Sequence, residues 1–235
     1  MKVFKFGGAS VKDADGLKNV LQVVKTAGEG NVLLVISAMG KTTNALEEVI
    51  KNYFNKSAEL QASIQEVKKY HNQILMELFE DESNDAFFAV NSLFADLEYF
   101  IRSNKSPNYN FVYDQIVSFG ELISTTIVSH YFNENGIKNN WLDVRNFIKT
   151  DTTYRDAIVD WDVTQNLILK GVDKKGVAIT QGFLGSDSNS FTTTLGREGS
   201  DYTAAIFAYC LSAESVTIWK DVPGVMNADP RYFEN

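Results

Sequence analysis

The hydrophobic positions change period along the chain, and each change predicts an element. Residues 3–6 are a short β-branched and aromatic run that stops at Gly7-Gly8, the pattern of a buried strand entering a turn. From Asp13 to about Ala27, Leu17, Val20, Leu21 and Val24 recur at helical spacing, with Gly28 and Gly30 behind them as a stop. Residues 32–36 are apolar without a break. Both faces of such a strand need cover, which favours a parallel sheet between helices. Ser37 to Gly40 closes this strand, and Thr43 begins the next helical pattern. The chain from about 44 to 104 reads as mostly helical, with Phe87, Val90, Phe94, Leu97 and Ile101 three or four residues apart. The acidic stretch from Glu77 to Asp85 marks a turn between helices. Residues 112–132 read as a further helix, ended by Asn135-Gly136. Residues 141–144 and 177–180 are strand candidates. Residues 200–211 read as a helix, and 216–219 as a final strand that runs into Asp221-Val222-Pro223-Gly224.

Apolar strands alternating with helices predict an α/β fold around a mostly parallel sheet. In such sheets ligands bind beyond the C-terminal ends of the strands. The glycine and polar clusters fall at those ends: Gly7-Gly8, residues 37–40, residues 182–185 and residues 221–224. Four such clusters at strand ends are the first functional signal, where one would mean little.

Composition narrows the classes. The chain has 235 residues, 44% hydrophobic and 22% charged, enough to bury a core and unlike a disordered segment. Its net charge of −8 argues against broad nucleic-acid binding, which needs a basic footprint. It leaves room for a small anionic ligand held by local cations and backbone amides. No apolar run approaches the roughly 18 residues of a membrane span, and the N-terminus lacks a secretory apolar stretch. A single cysteine, Cys210, excludes an internal disulfide framework and a multi-cysteine zinc site, so a cytoplasmic address is expected.

Three clusters offer chemistry. In residues 5–10, Gly7 and Gly8 let the backbone approach a ligand, and Lys5 at the strand end can reach a phosphate. A tight turn with a surface lysine is the plain alternative. Neither a P-loop nor a dinucleotide-binding glycine signature is present. Residues 192–201 run into a helix whose start, Gly199-Ser200, can present amides to an anion, while Arg197 offers a fork for a carboxylate. Asp201 there can also be a simple cap. Residues 219–225, with Lys220 and Asp221, form a strand-end loop that a nucleotide could occupy. Glu121 lies early in a helix, where a glutamate is usually solvated. Asp143 and Arg145 follow a strand as a surface pair or as substrate-side groups. His71 and His130 are expected in surface or capping roles, Cys210 in the core, and the Phe87–Phe100 stripe in the core or a subunit contact rather than a cofactor site.

Six motifs together resemble those of aspartate kinases, in the amino-acid kinase superfamily. They are residues 5–10 (KFGGAS, with Ala9 for a common threonine), 37–40 (SAMG), 118–121 (SFGE), 182–185 (GFLG), 192–201 and 221–231. The resemblance covers nearly the whole chain in the family's order. It implies a three-layer αβα sandwich with a helical subregion at about 44–134, and ATP-dependent phosphorylation of the β-carboxylate of L-aspartate. That reaction is the first step towards lysine, threonine and methionine. A related kinase acting on glutamate or N-acetylglutamate, and a nucleotide-binding domain without turnover, are the alternatives.

By the same resemblance, Lys5 bridges phosphate oxygens and Asp201 orients it. Gly7, Gly8, Ser10, Gly40, Gly199 and Ser200 cradle phosphates. Ser37, Thr43, Glu121 and Arg197 face the substrate, with Arg197 on its α-carboxylate and Glu121 on its α-ammonium. Lys220, Asp221, Met226 and Arg231 match the nucleotide loop. Magnesium is expected on the nucleotide rather than in a protein cage. Glu198 replaces a common glycine, and Lys220 and Met226 stand where threonine and tyrosine are frequent. The family implies a homodimer and a longer chain with ACT-type regulatory domains, so residues 1–235 are expected to be a catalytic domain cut short at its C-terminal side.

Overall fold

The computed structural model describes residues 1–27 and 30–220. Its strands are β1 (Lys2–Phe6), β2 (Val32–Ile36), β3 (Asn139–Leu142), β4 (Val177–Gln181), β5 (Leu184–Ser186), β6 (Thr192–Thr194) and β7 (Ser215–Trp219). Its helices are α1 (Ala14–Thr26), α2 (Thr42–Phe54), α3 (Leu60–Leu78), α4 (Asp85–Ser103), α5 (Tyr109–Val117), α6 (Phe119–Glu134), α7 (Trp161–Gly171) and α8 (Gly199–Leu211).

Five strands form a parallel sheet in the order β3-β4-β2-β1-β7, and β5 with β6 makes a separate antiparallel pair. The register places the strand ends level. Phe6 is opposite Ile36 and Trp219, and Ile36 is opposite Gln181. The loops that leave Phe6, Ile36 and Gln181 therefore open on one edge of the sheet.

Alternation sorts the strand side chains between two cores. Phe4, Phe6, Leu34 and Ile36 pack with the apolar faces of α1 to α6, including Leu17, Leu46, Ile64, Phe94 and Ile127. Val3, Leu33 and Val35 pack on the other face with Ile168 of α7 and Phe207 of α8. This is the expected three-layer sandwich. Lys5 shares its parity with Val3, so its side chain leaves the strand on the α8 face. α1 begins where Asp13 accepts a hydrogen bond from the Gly16 amide at 2.8 Å, and its Leu17, Val20, Leu21 and Val24 are all buried.

Some elements differ from expectation. The helix expected at 112–132 is two helices interrupted at Ser118, whose hydroxyl donates to the Gln115 carbonyl at 2.9 Å and competes with the helical ladder. The strand expected at 141–144 ends at Leu142, because Asp143 caps the following turn through the Arg145 amide. α7 and the β5–β6 pair have no counterpart in the periodicity reading. His71 is neither surface nor cap: it is completely buried, since both ring nitrogens find partners in the Val67 carbonyl and Thr42 hydroxyl. Cys210 is buried as expected. Phe87 and Phe94 are in the core, whereas Phe88 points to solvent.

Candidate active site

The level strand ends enclose a cleft of about 290 Å³. Of the residues singled out in the sequence, it gathers Lys5 from β1, Gly8, Ser37 and Gly40 from the loops after β1 and β2, and Thr43 from α2. It also gathers Glu121 from α6, and Gly199, Ser200 and Asp201 from the start of α8. Chain segments almost two hundred residues apart thus line one space.

Lys5 is only 5% exposed, which overturns the surface-lysine alternative. A lysine is costly to bury unless paired, and here Nζ lies 2.7 Å from Asp201 Oδ1. The other Asp201 oxygen, Oδ2, is 3.0 Å from Lys220 Nζ, which also reaches Glu198 at 3.5 Å. Burial works to raise the pKa of Asp201, but the hydrogen bonds and charges of Lys5 and Lys220 outweigh it and hold the carboxyl below its ordinary value. Asp201 is therefore ionised and tied between two lysines. The Asp201 and Glu198 carboxylates in turn raise the Lys220 pKa.

Glu121 is the opposite case. It is 3% exposed rather than solvated, because α6 packs its first turn against the sheet edge, where Gly120 meets the Ala38 side chain. Its Oε1 accepts the Ala38 amide at 3.2 Å, while Oε2 is buried without any partner among the described residues. Burial pushes its pKa up to about 8, against the smaller lowering effects of backbone hydrogen bonds and the Lys5 charge. A buried carboxyl oxygen in the cleft lining with no donor is left with unmet hydrogen-bonding capacity.

The glycine amides divide into committed and free. Gly7 N–H faces the Trp219 carbonyl at 3.5 Å, and Ser10 Oγ donates to the same oxygen at 3.4 Å, behind the cleft lining. Gly40 and Gly199 N–H donate to the Gly8 and Gly196 carbonyls, so the phosphate-cradling amides expected there are already engaged. The amides of Gly8 and Ser200 have no acceptor among the described residues, and both line the cleft. Ser200 stands in the first turn of α8, where the helix dipole favours an anion.

Arg197 is exposed, outside the cleft lining, and engages no polar partner among the described residues. Asp221, Met226 and Arg231 lie outside the described residues. Asp143 and Arg145 form an ion pair at 2.6 Å away from the cleft lining. Four lining residues were not assigned a site role from the sequence: Ala38, Phe183, Gly196 and Glu198. Phe183 and Glu198 both have positive φ, 71° and 55°, a conformation an L-residue adopts at a cost. Glu198 occupies the place of the family's common glycine, which this backbone would suit.

Two unengaged amides, two paired lysines and one buried carboxyl oxygen without a donor thus share one cleft on an α/β sandwich. The family model of the amino acid kinase family matches residues 1–235, and the chain belongs to that family. It is 35% identical to lysine-sensitive aspartokinase 3 of Escherichia coli K12 over 97% of this chain and 51% of that protein. It is 32% identical to the chloroplastic aspartokinase 1 of Arabidopsis thaliana over 99% of this chain and 42% of that protein. Among solved structures, E. coli aspartokinase III in complex with aspartate and ADP (R-state) superposes with a TM-score of 0.88. The identity there is 31%, over 98% of this chain and 51% of that one. The chain thus spans about half the length of these relatives.

Proposed function

We propose that this chain carries an aspartate kinase active site, transferring the γ-phosphoryl of ATP to the β-carboxylate of L-aspartate. The observation that carries the substrate half is the unpartnered Glu121 Oε2, a buried acceptor suited to an α-ammonium. The aspartokinase relatives and the aspartate- and ADP-bound neighbour support the same reading. Residues 1–235 are read as the catalytic domain.

The chemistry follows from charge. A free β-carboxylate has a pKa near 3.9, so it is already ionised and no general base is required. One of its oxygens bonds to the γ-phosphorus as the bond from phosphorus to the ADP oxygen breaks, and ADP leaves with that electron pair. The site's task is to bring two anions together and to stabilise charge on the moving phosphoryl. Lys5, held by Asp201, would supply that stabilisation. The Gly8 and Ser200 amides would receive phosphate oxygens, with Gly7, Ser10, Gly40 and Gly199 shaping the turns behind them. Ser37 and Thr43 line the substrate side. Arg197 would take the α-carboxylate after a rotamer change, and Lys220 would meet the nucleotide. No group of three metal-ligating side chains gathers among the described residues. Magnesium carried on the nucleotide would supply further neutralisation.

A coupled ADP-release assay with L-aspartate, L-glutamate, N-acetylglutamate, carbamate and UMP tests the assignment. Turnover with L-aspartate is expected. Turnover with N-acetylglutamate alone, which lacks an ammonium, would overturn it.

A further inference from the structure

A second cavity, about 610 Å³, opens beside the cleft and shares Gly40 with it. Two loops separate the cavities, residues 7–13 and residues 37–42. Their close approach is partly their own work. Gly40 N–H donates to the Gly8 carbonyl at 3.0 Å, and a Cβ on Gly8 would lie 2.8 Å from the Ala38 carbonyl oxygen.

The rest comes from α3, which the phosphoryl chemistry does not use. The Tyr70 hydroxyl donates to the Lys12 carbonyl. The Tyr70 hydroxyl oxygen also lies against Gly40, where an added Cβ would stand 2.6 Å from it and φ is +54°. Glycine is therefore required at 40 both by conformation and by Tyr70. The next residue, His71, sets Nδ1 2.8 Å from the Val67 carbonyl and Nε2 3.3 Å from Thr42 Oγ1. Since a carbonyl only accepts, the partners assign the ring proton to Nδ1. Burial lowers the ring's pKa to about 4, so Nε2 is an acceptor at neutral pH. Thr42 then has one hydrogen for two acceptors, His71 Nε2 and the Met39 carbonyl at 2.6 Å.

We propose that Tyr70 and His71 are positioning residues for the transfer cleft. Tyr70 ties the 7–13 loop to Gly40, and the buried His71 ring seats the Thr42 end of the 37–42 loop, its Nε2 competing with the Met39 carbonyl for the Thr42 hydrogen. The inference rests on the kinase reading, because it gives the loops their task. Both ligand-facing features hang on them: the free Gly8 amide, and Glu121, whose Oε1 is fixed by the Ala38 amide. Small displacements there matter, as misplacement by about 1 Å can cost roughly a hundredfold in rate.

The test compares Tyr70→Phe, His71→Leu and His71→Gln with the unaltered chain. It measures amide hydrogen exchange in peptides covering 8–13 and 37–43, kcat and KM for both substrates, and thermal unfolding. Tyr70→Phe removes one hydroxyl and is expected to speed exchange in both segments. It should lower kcat about tenfold with the aspartate KM within about twofold. His71→Leu should do the same at 37–43, and His71→Gln, which keeps a polar atom towards Thr42, should restore most of the loss. Unchanged exchange in both segments would overturn the proposal, as would a fall in Tm matched by uniform exchange across the chain. An unaltered chain without turnover on aspartate would overturn the kinase reading alone, since the exchange pattern still decides whether the two residues hold the loops.

Discussion

Glu121 has exchanged water for the sheet edge, and its pKa of about 8 carries two consequences. The folded value lies above the unfolded value of about 4.5, so this group's stabilising contribution is complete below pH 4.5 and disappears as pH rises through 8. Urea unfolding of the ligand-free chain between pH 5 and 8 should show a declining component that Glu121→Gln removes. An identical pH slope in the variant would refute the burial argument. An ammonium bound against Oε2 would favour the ionised form, so aspartate binding near pH 7 should release a proton from Glu121. Calorimetry in buffers of different ionisation enthalpy measures that release, and Glu121→Gln should abolish it while weakening aspartate. Lys5 gives the complementary case. Its proposed work is on the moving phosphoryl, so Lys5→Ala should cost about 100- to 1,000-fold in kcat while nucleotide binding stays measurable. Asp201 would keep Lys220 as a partner, so the variant should still fold. Loss of nucleotide binding with kcat intact would reverse the assignment.

At the level of elements, Asp114 shows how the layers are tied behind the cleft. From α5 it accepts the Arg155 amide at 3.0 Å, the Thr194 amide at 2.8 Å and the Thr194 hydroxyl at 2.8 Å. It thereby joins a helix, the 151–156 loop and β6 through one buried carboxylate. Asp114→Ala would strand three donors and should lower the unfolding free energy by about 3 kcal/mol, read from urea midpoints; a loss under about 1 kcal/mol would show that water replaces the carboxylate. These ties also explain what the sequence could convey. β1, β2 and β4 were legible because residues buried on both faces leave unbroken apolar runs. α7 exposes Trp161, Val163 and Leu169, so its apolar residues do not mark one face, and β5 and β6 are three residues each, too short for a period. The site was legible through glycines and charged residues at strand ends. The burial of Glu121 and the partners of His71 were not, since both depend on contacts made by segments distant in the chain. Which amides are free was equally hidden, because Gly40 and Gly8 meet only after the sheet brings β1 beside β2.

For the whole molecule, the cleft joins both layers of the sandwich. Lys5 and Asp201 belong to the α8 side, whereas Glu121 and the 37–42 loop reach it from the helical side. A ligand held by both sides should therefore stabilise the fold as a unit, and this can be measured without turnover. At a hundred times its Kd, a ligand specific for the folded state adds about 2.7 kcal/mol. For a chain of this size that corresponds to a rise in Tm of roughly 5–10 °C. L-Aspartate and ATP, each near that level, should both raise Tm. Glu121→Gln should remove the aspartate shift and keep the nucleotide shift, because the proposed role of its carboxylate is to meet the ammonium and not the phosphates. A chain shifted by UMP or N-acetylglutamate but not by aspartate would assign the same fold and the same cleft to a different acceptor.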